Sequence, residues 1–290
     1  MPHILTLVAA RAATTLLPAT IDRVRDAVQG GAPVTLSPGE AVDIPCPTLP
    51  GMDAIRTALE GAAVDAFVTQ NRGRRKGLLI ADMDSTIVTS ETLDELAAYA
   101  GVQAQVAAIT VRSMNGEMDF QDALRERVAL LRGLNLSALE ATWAGVQLTP
   151  GAQTLVATMR AHNAMTALVS GGFTFFTSRV AALCGFHEHR ANTLLDDGTV
   201  LTGAVGEPIL DRDAKLTALT ELAEARGVKL GATLAVGDGA NDLAMIGAAG
   251  MGVAFHAKPI VAAAARHRVE HGDLRALLFA QGYAAAQFQA

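Results

Sequence analysis

Residues 77–88 read Gly77-Leu78-Leu79-Ile80-Ala81-Asp82-Met83-Asp84-Ser85-Thr86-Ile87-Val88. The apolar run 78–81 has the character of a short strand buried on both faces of a parallel sheet. Asp82 and Asp84 follow at its carboxyl end. Ligands of open α/β sheets bind just outside the carboxyl ends of the strands. Two carboxylates two residues apart at such an end suit metal-assisted phosphoryl chemistry. One can attack phosphorus while the other manages a proton. Taken alone, Asp-x-Asp equally describes a turn followed by a helix that Thr86 caps. The remainder of the chain decides between the two.

Downstream, residues 90–101 read as a helix that Ser90 caps and Gly101 closes. From 102 to about 148 the period stays helical. Val102-Val106-Ile109 forms one stripe and Leu124-Val128-Leu131 another, with Arg125 and Arg127 in the second. This block interrupts the βα alternation, so a helical insertion over about 92–148 is expected to stand over the strand ends as a cap. Alternation then resumes. A strand at 165–169 ends in Ser170-Gly171-Gly172 and turns into a helix at 173–184. A hairpin is expected around Asp196-Asp197-Gly198. Asp213-Ala214-Lys215 opens a helix. A strand at 233–236 ends in Gly237-Asp238-Gly239-Ala240-Asn241-Asp242, and a short helix, a strand near 251–254 and two further helices complete the chain. Residues 77–290 therefore read as a doubly wound parallel α/β sheet with a helical cap.

Upstream, residues 1–70 read βαββαβ, the order of a small ferredoxin-like α+β domain. Strands are expected at 4–8 and 64–68, a hairpin at 34–44, and helices at 19–28 and 52–59. Modules of this kind sometimes bind amino acids in regulatory proteins. A stabilising or dimerising appendage accounts for it equally, and a homodimer is compatible with either role. No residue of this module carries nameable chemistry.

Composition narrows the function. Half of the 290 residues are hydrophobic, enough for a sizeable core. Aromatic residues make up 4% and the net charge is −6, which speaks against a nucleic-acid partner. The basic cluster 71–76 reads as a solvated linker. No apolar run has the length of a membrane span, and the N-terminus lacks the pattern of a signal peptide. Two cysteines far apart point to neither a disulfide framework nor a zinc site. A cytoplasmic protein with a small-molecule substrate is expected.

Three strand ends and one helix start then carry the chemistry. Asp82 and Asp84 come from the first, Ser170 and Gly171 from the second, Asp238, Asn241 and Asp242 from the third, and Lys215 from the helix. A carboxylate nucleophile approaching a dianionic phosphate needs positive charge nearby. A hard divalent cation on oxygen ligands, Mg²⁺ by usual choice, supplies it, with Asp82 and Asp238 as side-chain ligand candidates. Lys215 adds a point charge. Ser170 and the Gly171 N–H, at a helix N-terminus, can hold the remaining oxygens. Each piece alone is ordinary; their order along the chain is not.

These four segments resemble the motifs of the haloacid dehalogenase superfamily, and the second aspartate points to its phosphatases. Residues 77 to about 280 resemble its phosphoserine phosphatase family more closely. The supporting residues are Glu91, the segment Met114-Asn115-Gly116-Glu117-Met118-Asp119-Phe120, Leu124-Arg125-Glu126-Arg127-Val128, and Gly171-Gly172-Phe173. The resemblance implies Asp82 as nucleophile and metal ligand, and Asp84 as general acid/base with its backbone carbonyl on the metal. It implies Asp238 as the last protein ligand, with Asn241 and Asp242 beside it. Ser170, Gly171 and Lys215 would bind phosphate. Glu91 and Arg127 would hold the amine and carboxylate of serine, with Arg125 the competing arginine. Met114 and Phe120 would wall off water. The implied reaction is Mg²⁺-dependent hydrolysis of phosphoserine, the last step of serine biosynthesis. Alternatives stand beside it: a phosphotransferase passing the phosphoryl group to another alcohol such as homoserine, another small-metabolite phosphatase of the same superfamily, and an amino-acid-binding regulatory protein with an inert catalytic half.

Overall fold

The computed structural model describes residues 2–114 and 117–290, without the side chains of Met114 and Arg212. Asn115, Gly116 and the Met114 side chain, all part of the expected cap segment, therefore lie outside the described residues.

The chain begins with β1 (His3–Ala9), α1 (Pro18–Ala27), β2 (Val34–Ser37), β3 (Ala41–Cys46), α2 (Met52–Leu59) and β4 (Val64–Gln70). Their antiparallel sheet has the order β2-β3-β1-β4, the ferredoxin-like arrangement expected. Side chains alternate along β1 because successive residues of a strand face opposite sides. Leu5 and Leu7 pack with Val24 of α1 and Ile55 of α2. Val8, with Phe67 of β4, joins the hydrophobic core of the following α/β unit. The sheet is thus covered on both faces. On the second face Arg74 ties the units together. It pairs with Asp43 at 2.6 Å, donates to Thr6 Oγ1 at 2.8 Å and reaches the carbonyl of Ala280 at 3.3 Å.

The second unit follows as β5 (Leu78–Ala81), α3 (Thr92–Tyr99), α4 (Gln103–Met114), α5 (Phe120–Ala129), α6 (Ser137–Gly145), α7 (Ala152–Ala161), β6 (Met165–Phe173) and α8 (Thr174–Cys184). Next come β7 (Glu188–Asn192), β8 (Leu194–Asp196), β9 (Leu201–Val205), α9 (Arg212–Arg226), β10 (Thr233–Gly237) and α10 (Leu243–Ala248). The chain closes with β11 (Met251–Phe255), α11 (Pro259–Ala264), β12 (His267–Val269) and α12 (Ala276–Ala280). Six of these strands form a parallel sheet in the order β12-β11-β10-β5-β6-β7. Leu79 and Ala81 contribute to one core cluster, Leu78 and Ile80 to the cluster on α9. Burial on both faces is the reason the run 78–81 is wholly apolar. After β5 the chain crosses to β6 on one side and later returns to β10 on the other, so a topological switch point lies between β5 and β10. Helices α3 to α6 form the expected cap, and the β8–β9 hairpin leans on it through Gly133 N–H to Leu201 O at 2.8 Å and Leu136 N–H to Thr199 O at 3.0 Å.

Two local expectations are corrected. β6 runs on through Ser170-Gly171-Gly172 to Phe173, and α8 starts only at Thr174. The register with β7 breaks between Val169 and Phe173, so the glycines bulge without leaving the sheet. Gly171 N–H is consequently not at a helix N-terminus. Helix α3 takes Glu91, not Ser90, as its N-cap; the Ser90 carbonyl is engaged by Ser85 N–H at 3.2 Å.

Candidate active site

The site gathers at the switch point. Asp82 follows the last residue of β5 and is 5% exposed. Its Oδ1 accepts the Met83 N–H at 2.8 Å, which fixes the carboxylate against the strand end. The backbone then turns sharply, with Ser85 at φ 52°. Past that turn the start of α3 comes back to Asp84, whose Oδ1 accepts Thr92 N–H at 3.0 Å. Ser170 Oγ lies 3.5 Å from Asp84 Oδ2, a long contact. A Cβ on Gly172 would stand 2.9 Å from Asp84 Oδ2, so a side chain there would collide with the carboxylate.

Lys215 lies in the first turn of α9, where the helix dipole disfavours a cation. Two carboxylates offset this: Lys215 Nζ stands 2.8 Å from Asp82 Oδ1 and 2.6 Å from Asp242 Oδ1. Burial works to lower the lysine pKa, but Asp242 and Asp82 together hold it above its ordinary value. Asp242 is fully buried, and its Oδ2 accepts Gly239 N–H at 3.0 Å. Gly237 leaves the room that this carboxylate occupies.

Carboxylate oxygens of Asp82, Asp238 and Asp242 lie within 4.8 Å of one another. Burial and the neighbouring Asp242 raise the Asp82 carboxyl well above the usual range, with Lys215 opposing. Asp238 is pushed up to about 6, chiefly by burial and then by Asp242 and Glu91. Asp84 reaches about 7, chiefly through burial and then through Glu91. Four carboxylates set against the buried Lys215 ammonium, with Lys258 also acting on Asp238, form a cluster short of positive charge. An all-oxygen donor set of this kind fits a hard divalent cation. Asp84 is outside the three-carboxylate group, so its expected part in metal binding depends on its backbone carbonyl.

Of the expected substrate residues, Glu91 stands close enough to the cluster to raise Asp84 and Asp238. Glu91 is exposed and accepts Ser85 Oγ–H at 2.8 Å. Arg127 is half-buried on α5, with Nε donating to Ala123 O at 3.2 Å. Burial lowers its pKa, and the nearby charges of Asp94 and Glu91 work against that. Arg125, by contrast, is exposed and pairs with Glu207 at 2.8 Å and Asp122 at 3.2 Å. Asn241 lies in the short turn Ala240–Asp242 that follows Asp238. The cap sits close over the strand ends: Phe120 Cζ would be 3.2 Å from a Cβ on Gly171. Gln121 Nε2 donates to Asp211 at 3.1 Å, and Asp211 caps α9. A cleft of about 600 Å³ between the two units borders Ser85 but contains none of the three clustered carboxylates.

Sequence reading missed Asn192. It is 2% exposed, donates from Nδ2 to Gly171 O at 2.9 Å and accepts Leu210 N–H at 2.7 Å. It thereby ties the glycine bulge to the segment that leads into the lysine helix. The polar strand 188–192 gave no local signal of this.

Residues 77–250 match the family model of haloacid dehalogenase-like hydrolases. The chain belongs to that family. A phosphoserine phosphatase of Streptococcus thermophilus is 45% identical over 199 residues, 69% of this chain and 93% of its own length. One from Streptomyces coelicolor is 42% identical over 82% of this chain, which spans 60% of that longer protein. The crystal structure of a probable phosphoserine phosphatase from Vibrio cholerae superposes with a TM-score of 0.80 at 30% identity, covering 99% of this chain and 88% of the other. Within the family, this chain groups with the phosphoserine phosphatases.

Proposed function

We propose that this chain hydrolyses O-phospho-L-serine to L-serine and phosphate, through a phosphoaspartate formed on Asp82. The observation that carries the reading is the buried Asp82–Lys215–Asp242 group beside an aspartate titrating at about 7. Lys215 and Met83 N–H both engage Asp82 Oδ1, which leaves Oδ2 for attack on phosphorus. As the new P–O bond forms, the bond to the seryl oxygen breaks, and protonated Asp84 supplies that oxygen with its proton. In the second step Asp84, now ionised, takes a proton from water. The resulting hydroxide attacks phosphorus and returns Asp82 as a carboxylate. A group half-protonated near neutrality can serve in both directions.

Mg²⁺ held by Asp82, Asp238 and the Asp84 backbone carbonyl would neutralise phosphate charge. Ser170, Gly171, Asn241 and Lys215 are assigned to the phosphate. Glu91 is assigned to the substrate ammonium, and Arg127, whose guanidinium senses Glu91, to its carboxylate. Phe120 excludes water over the bulge. The reaction would complete serine biosynthesis.

The test is phosphate release from a panel of phosphomonoesters, with and without Mg²⁺. Asp82→Asn should abolish turnover. Beryllofluoride should place its adduct on Asp82 in the parent protein, and an adduct on Ser170 would reverse the assignment.

A further inference from the structure

The loop carrying Asp238 is not held by the parallel sheet alone. Asp65 stands on β4 of the N-terminal sheet and is 3% exposed. Its side chain points across the interface. Oδ1 accepts the N–H groups of Glu270 at 2.8 Å and His271 at 3.1 Å, and Oδ2 accepts that of Gly272 at 2.8 Å. Three successive amides converging on one carboxylate form an anion-binding nest. A Cβ on Gly272 would stand 2.9 Å from Oδ2, so glycine is needed for this approach. A buried carboxylate is costly unless its oxygens are bonded. Mere docking of two surfaces would be served more cheaply by an apolar side chain.

The contact continues toward the site. The Gly272 carbonyl accepts from His256 Nε2 at 2.8 Å, and His256 N–H donates to Val269 O at 2.8 Å. His256 directly follows β11 and is held at φ 42°. Two residues further on, Lys258 N–H donates to the Asp238 carbonyl at 3.3 Å. An unbroken series of short-range contacts thus runs from the N-terminal sheet to the third strand end of the site.

We propose that Asp65 is a positioning residue for the cation-binding loop: it grips segment 270–272, which through His256 sets the turn that brings Lys258 onto Asp238. This gives residues 1–70 a part in catalysis without contact with substrate. The inference rests on the assignment of Asp238 as a cation ligand.

The experiment measures Mn²⁺ binding to the full metal-free chain by electron paramagnetic resonance, together with the Tm of each variant. Asp65→Asn should weaken Mn²⁺ binding about fivefold, less than the roughly 10–100-fold that a direct partner of a ligand costs. His256→Asn keeps a residue type that tolerates positive φ but shortens the reach to Gly272. It should weaken Mn²⁺ binding by a similar factor with little change in Tm. Arg74→Lys disturbs the same interface away from this path, and should lower Tm while leaving Mn²⁺ affinity at the parent value. A purely structural Asp65 would behave like Arg74. Parent affinity in Asp65→Asn or in His256→Asn overturns the proposal. Asp238→Asn separates the two levels: if it binds Mn²⁺ as the parent does, the metal assignment itself is wrong and the positioning role falls with it.

Discussion

Replacing Lys215 with methionine removes the ammonium standing 2.8 Å from Asp82 and 2.6 Å from Asp242 while keeping most of the side-chain volume. At an effective dielectric of about 20, each contact is worth about 6 kcal/mol before desolvation. Desolvation cancels much of that, and deleting one partner of a buried pair costs about 3–5 kcal/mol. At roughly 2–4 °C per kcal/mol for a chain approaching this size, the metal-free variant should melt about 6–20 °C below the parent at pH 8. The deficit should depend on pH. In the parent, Asp84 and Asp238 titrate at about 7 and about 6, above the ordinary 3.8 of an aspartate. The native state therefore binds more protons than the unfolded chain between those limits, and stability falls as pH rises through that window. Without Lys215 the Asp82 carboxyl rises further, so the variant should recover toward the parent as pH drops from 8 to 5. Mg²⁺ should also restore more of its Tm than it adds to the parent, since it replaces the missing charge. Calorimetry across that pH range with and without Mg²⁺ reads all three effects. A Tm within about 2 °C of the parent at pH 8, or a deficit constant with pH, refutes the reasoning.

Glu91→Gln removes the second-largest influence raising Asp84. The limb of the kcat–pH profile near 7 should move to lower pH, whereas a limb that stays in place assigns it to another group. Arg127→Ala should cost phosphoserine roughly 1.5–3 kcal/mol of charge-assisted binding, about ten- to a hundredfold in kcat/KM. Phosphoethanolamine, lacking the carboxylate, should be barely affected. Arg125→Ala, its guanidinium turned to Glu207, should leave both substrates near parent rates; the reverse pattern would exchange the two arginines.

The central strands were legible because burial on both faces forces runs such as 78–81 and 234–236 to be apolar, with their polar residues crowded at the ends. The ferredoxin-like order of residues 1–70 was equally legible, since its alternation and turn residues are local. The edge strands of the parallel sheet were not. β7 is Glu-His-Arg-Ala-Asn and β12 is His-Arg-Val, and neither carries a hydrophobic period. Asp242 was noted only as lying beside the metal, because its bond to Lys215 spans 27 residues. Asn192 and Asp65 were missed for the same reason: their partners are distant in sequence, and an isolated Asn or Asp in a strand looks like any other. The cap's course was visible in its stripes, but its hold on the core through Gln121 and Asp211 required the fold.

The position of β5 between β10 and β6 has a consequence for how the protein is made. Its partners Thr233–Val236 arrive more than 150 residues after it, as the register Leu79–Leu234 requires. Contacts so distant in sequence form late, because the intervening chain must first be closed into a loop. During synthesis, domains assemble as units from the N-terminus. The sheet of residues 3–70 can therefore form early, while Asp82 waits on the ribosome with neither Lys215 nor Asp238 in existence. Under the proposed assignment a chain interrupted anywhere before β10 lacks Asp238, so phosphate release would report only on molecules translated past their last central strand.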